Sequence, residues 1–150
     1  MAMTFLCPTH KDWLYFHSEQ GIDFIEDAHR KGEYLVQQES WKKAVPFLGC
    51  AFEATEILLE LYGKDKTWLL TELTLLAIQL QDCLKETGSE KYTSSISNRA
   101  LRWLDAAVRD PATEPNKISF LKNCIESLTG KTSKVYGQGN MIPASVRVTH

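Results

Sequence analysis

No stretch of this chain approaches the roughly 18 consecutive apolar residues that a membrane-crossing helix needs. No Cys-x-x-Cys pair occurs in it either, so neither a zinc framework nor a dithiol redox motif is encoded. A glycine-rich phosphate loop is also missing, because Gly130-Lys131 has no glycine four residues before it. There is no basic excess: the formal charge is −2, whereas a dedicated nucleic-acid binder is usually clearly basic. The opening MAMTFLCPTHKDW lacks a basic run, and its apolar stretch is too short for a signal peptide or for a lipoprotein reading of Cys7. Finally, no local pattern sets a Ser or Cys nucleophile beside a base with oxyanion donors. These absences predict a protein that is not an enzyme, needs no cofactor, engages neither membrane nor nucleic acid, and sits by default in the cytoplasm.

What is present is an ordinary globular composition, with 43% hydrophobic and 24% charged residues in 150. One domain of that length buries about two-thirds of its unfolded surface. Cys50, Cys83 and Cys124 fall on apolar helical faces, Cys7 does not, and all four read as buried thiols in a reducing compartment. Thr9 with Asp12 forms a capping-box-like start to a helix bearing Trp13, Phe16, Ile22, Phe24 and Ile25. Gly21 interrupts it, so either one helix runs to about residue 38 or two meet near Ser18. The next helix reaches Tyr62 and stops at Gly63. Residues 66–86 are apolar nearly all round, which places them in the middle of a bundle or in a homo-oligomer interface, and Gly88 closes them. A stripe at Tyr92, Ile96, Ala100, Trp103 and Ala107 marks the following helix, which ends near Asp110-Pro111. Pro115 then opens a last helix that stops at Gly130. Trp13, Trp41, Trp68 and Trp103 fall in successive helical segments and predict an aromatic-rich core. The fold class is therefore all-α, about five helices in antiparallel hairpins that form a bundle or a short solenoid. Residues 1–130 form the domain, and 131–150 are an irregular tail without helical period.

The stretch 28–54 carries the most specific pattern. Gly32, Ala44 and Ala51 are small where two helices would approach, and Leu35, Trp41, Leu48 and Phe52 fill the gaps between them. Ser40 stands where it can cap the second of these helices. Pro46 lies inside that helix, where it removes a backbone donor and predicts a kink or a later start. Over about residues 25–58 this placement resembles a tetratricopeptide repeat, in one unit. The resemblance implies a protein–protein interaction module, adaptor or chaperone-like, holding a partner polypeptide in a groove lined by the first helix of the hairpin. Carried over by position, the groove-facing residues are Glu26, His29, Glu33, Val36 and Gln37, an acidic and polar face suited to a basic or polar segment. The chain's own tail, with Lys131, Lys134 and Arg147, is one candidate occupant.

Two other constellations have ordinary structural alternatives. Glu26 and His29 make a single Glu-x-x-His, half of a di-iron signature, with a solvated helix face as the alternative. Cys7, His10 and His17 could gather metal ligands at one end, which gives a second functional reading: a small regulatory or metal-binding bundle. Lys91, Arg99, Arg102 and Arg109 lie along one side of a helix and either meet an acidic partner or are simply solvated.

Overall fold

The computed structural model describes residues 3–63 and 66–130. Among the described residues the chain is all-α, with six helices and no strand: α1 (Pro8–Phe16), α2 (Gly21–Gln37), α3 (Trp41–Tyr62), α4 (Thr67–Glu86), α5 (Thr93–Arg109) and α6 (Pro115–Thr129). Single 3-10 turns at Ser18–Gln20 and Glu90–Tyr92 lead into α2 and α5. The sixth helix comes from the break at His17, where the backbone leaves helical geometry, so the first segment is two helices rather than one. The tail 131–150, and the proposal that it occupies a groove, lie outside the described residues.

Three helix ends are set by glycine backbone, while at the end of α5 the Thr113 hydroxyl donates to Ala107 O at 2.6 Å. Gly63, Gly88 and Gly130 take positive φ of 99°, 77° and 78°, conformations that cost glycine least. At the starts the expectations differ from what forms. Ser40 occupies the N-cap of α3 but its hydroxyl caps nothing; its N–H donates instead to Leu35 O at 2.8 Å. Pro8, with φ already suited to a first turn, starts α1 one residue before Thr9, leaving the Thr9–Asp12 capping box unused. Pro46 is accommodated inside α3, whose assigned span is continuous from Trp41 to Tyr62.

From α2 onward each helix packs on the next in sequence, α2 against α3 most extensively, and α1 packs on α3. A Cβ built on Gly21 would strike the Leu58 side chain, and one on Gly32 that of Leu48, so a step forward along α2 is matched by a step back along α3. The hairpin is antiparallel, and its closest approach is at Gly32. There an added Cβ would lie 2.5 Å from Leu48 Cδ2 and 2.7 Å from Cγ. Leu48 is fully buried and has little room to yield. Overpacking of this kind costs about 1–3 kcal/mol, against at most about 1 kcal/mol regained in helix propensity. Gly32→Ala should therefore lower the urea midpoint; a rise would mean that Leu48 swings clear.

α4 is the centre of the bundle, touching α3, α5 and α6 and burying most of its circumference. The core is mainly leucine and alanine rather than aromatic. Phe52 alone of the described aromatics is fully buried, Trp13, Trp41 and Trp103 pack on the core's edge, and Trp68 is 44% exposed. The aromatic-core expectation failed because the four tryptophans stand on partly solvated flanks of α1, α3, α4 and α5. Cys83 and Cys124 are buried free thiols, and burial pushes both up to about 11. Cys50 is only half-buried and Cys7 is exposed, because Cys7 precedes α1 and lies on no core-facing helix, so the expectation of burial fails for both. Cys7 should react first with a thiol reagent, and Cys83 and Cys124 only on unfolding.

Candidate functional site

The five residues expected to line a groove do share one side of α2, but they do not share one environment. Glu26 and Gln37 are exposed, Glu33 and Val36 half-buried, and Val36 packs on the core. His29 is only 3% exposed, so it is neither on a solvated face nor available to a partner. Its ring turns into α4: Nδ1 lies 2.7 Å from Glu72 Oε2 and Nε2 2.8 Å from Gln79 Oε1. Gln79 in turn donates its amide to Glu33 Oε2 at 3.0 Å, which fixes the direction of that amide. Both ring nitrogens therefore face acceptors, an arrangement only the doubly protonated imidazolium satisfies.

Burial alone would lower the His29 pKa, but the hydrogen bond and charge of Glu72, then Glu33 and Gln79, outweigh it and raise it above 6.5. A raised pKa in the folded state means that the native protein holds this proton after the unfolded chain has released it. The stabilisation is thus complete below pH 6.5 and is lost as pH climbs through the raised value. Urea midpoints measured from pH 6 upward should fall across that window in the wild type, and Glu72→Gln should flatten the fall.

The histidines near the start do not converge. Cys7 Sγ and His10 Nδ1 meet at 3.2 Å, while His17 Nδ1 lies 3.1 Å from Trp13 O and its ring stacks on Trp13. Among the described residues no group of three or more His, Cys, Asp or Glu is placed to hold a metal ion. No helix of the described residues is long and apolar enough to cross a membrane.

A second polar cluster escaped the sequence reading. Glu53 of α3 is buried, and its Oε1 accepts from two consecutive backbone amides, Phe5 N at 2.9 Å and Leu6 N at 2.7 Å. Arg99 of α5 donates from Nη1 to Met3 O at 2.6 Å and from Nη2 to both Glu53 and Glu56. Trp103 Nε1 donates to Glu56 at 3.2 Å, and the guanidinium stands 5.2 Å over the Phe52 ring. Burial alone would lower the Arg99 pKa, but Glu56 and then Glu53 raise it. Arg99 is therefore not part of a solvated basic stripe, and of its expected companions Arg109 pairs with Asp105 at 3.0 Å. The available signal was a pair of glutamates, Glu53 and Glu56, set in the otherwise apolar run of α3; buried acids there require a base from a neighbouring helix.

A third feature is apolar. On the outer side of the α2–α3 hairpin, Tyr34, Leu35, Pro46 and Phe47 floor an open groove of about 730 Å³, rimmed by Arg30, Lys31 and Lys43. Tyr34 is 61% and Phe47 37% exposed. Arg30 and Lys31 share one exposed carboxylate, Asp27, so the rim keeps a positive balance.

The chain matches no protein-family profile, no curated protein and no solved structure.

Proposed function

We propose that this chain is a cytoplasmic protein–protein interaction module, adaptor or chaperone-like, that binds a partner polypeptide on a tetratricopeptide-like α2–α3 hairpin. The observation that carries the reading is the groove lined by Tyr34 and Phe47. Large aromatics left in water beside a proline-shaped floor favour an apolar anchor, and aromatic residues recur as energetic centres of protein interfaces. Three rim cations then select a partner segment that is acidic as well as amphipathic. The polar shoulder of α2, Glu26, Glu33 and Gln37, of which Glu33 bonds Gln79 of α4, offers the opposite charge preference. The role is binding rather than catalysis.

Capture from the native host tests this with three baits: wild type, Tyr34→Ala/Phe47→Ala, and Glu26→Ala/Glu33→Ala/Gln37→Ala, each shown to be folded. A partner kept by the shoulder variant and lost by the groove variant supports the groove. Retention by both variants sinks the reading.

A further inference from the structure

Residues 3–6 lie across α3 and α5 as a non-helical segment that bends at Leu6, and what holds them is unusual for a chain segment merely packed on a bundle. The recognition is of backbone: Glu53 takes the N–H groups of Phe5 and Leu6, and Arg99 takes the carbonyl of Met3. Any polypeptide can supply those three groups. The cleft also has a shaped floor. At Gly49 an added Cβ would sit 2.2 Å from the Phe5 ring, so the absence of a side chain on α3 makes the seat for that ring. Leu6 is buried beside it in the core. Two helices that needed only to pack would do so at lower cost with apolar residues than with a buried Arg–Glu network. Here the network's remaining hydrogen-bonding capacity is spent on the segment.

We infer that the α3–α5 cleft is a binding site for a non-helical, uncharged polypeptide segment carrying an aromatic residue followed by an aliphatic one, and that residues 3–6 are its occupant in cis. The trans ligand is such a segment of another protein. Covalent attachment gives residues 3–6 an effective concentration of roughly millimolar order, so the cis segment keeps the cleft closed to weak competitors and opens it to strong ones. Phe5 fills the seat on Gly49, and weakening that contact shifts the balance toward ligands in trans. This site is separate from the groove on the α2–α3 hairpin, and either can fail without the other.

The test uses the full chain with Phe5→Ala and a labelled synthetic peptide of residues 1–8 bearing Cys7→Ser, followed by fluorescence anisotropy. Phe5→Ala should bind the peptide at least tenfold more tightly than the wild type does. The same peptide N-methylated at the Phe5 and Leu6 amides keeps its side chains but loses the two donors to Glu53, and should bind at least tenfold more weakly. A folded Phe5→Ala chain that binds no better than wild type, or an N-methylated peptide that binds equally well, overturns the proposal. If Phe5→Ala does not fold alone, the unmodified peptide at millimolar concentration should restore its helical circular dichroism and thermal transition; failure to restore them overturns it too. A wild-type dimer that becomes monomeric in Phe5→Ala would overturn it in favour of exchange of residues 3–6 between copies.

Discussion

Arg99→Met lowers the unfolding free energy by about 3–5 kcal/mol, the usual cost of removing one partner of a buried ion pair. The substitution nearly preserves volume, so little of the loss comes from packing. What remains is Glu53, buried, and Glu56, mostly buried, with no cation between them, and a Met3 carbonyl without its donor. Against a total stability of about 5–15 kcal/mol, that is a large share. Urea unfolding at pH 7 reads this loss. Amide exchange reads a second effect: Phe5 and Leu6 should be protected in the wild type and lose that protection together in Arg99→Met. A loss below about 1 kcal/mol, typical of exposed pairs, would show that water already compensates these charges.

Phe52→Ala has an effect of the same order, about 3–5 kcal/mol, for a different reason. Phe52 is the largest fully buried side chain, on the face of α3 that meets the rest of the bundle. Deleting the ring removes transfer energy and leaves a void that rigid helical neighbours cannot close. It also strips the face beneath the Arg99 guanidinium, whose centre lies 5.2 Å from the ring. Groups in contact rarely contribute additively. The double variant Phe52→Ala/Arg99→Met should therefore lose measurably less than the sum of the single losses. Strict additivity in denaturant titrations would mean that ring and guanidinium act independently.

The helices were legible because their signals are local. Gly63, Gly88 and Gly130 stop α3, α4 and α6 by taking backbone conformations that follow from glycine itself. The near-continuous apolar surface of α4 foretold its central place, and Gly32 foretold the close approach of α2 to α3. The sites were less legible because their signals are distant. His29 finds Glu72 across 43 positions, and Arg99 finds Glu53 across 46. Periodicity assigns a residue to a helix face but does not say which helix covers that face. His29 thus read as solvent-facing, and Arg99 read like its exposed neighbour Arg102. The groove at Tyr34 and Phe47 was hidden for a related reason. Two exposed aromatics on different helices become one surface only when the antiparallel register brings them side by side.

The central claim is that the α2–α3 hairpin presents a binding surface. It is tested most directly by the affinity of a captured partner's purified binding segment, measured by calorimetry against wild type, Tyr34→Ala/Phe47→Ala and Glu26→Ala/Glu33→Ala/Gln37→Ala. The account predicts an acidic amphipathic segment whose affinity falls by tenfold or more with the groove variant, weakens with added salt, and changes little with the shoulder variant. Equal affinity for wild type and the groove variant would contradict it.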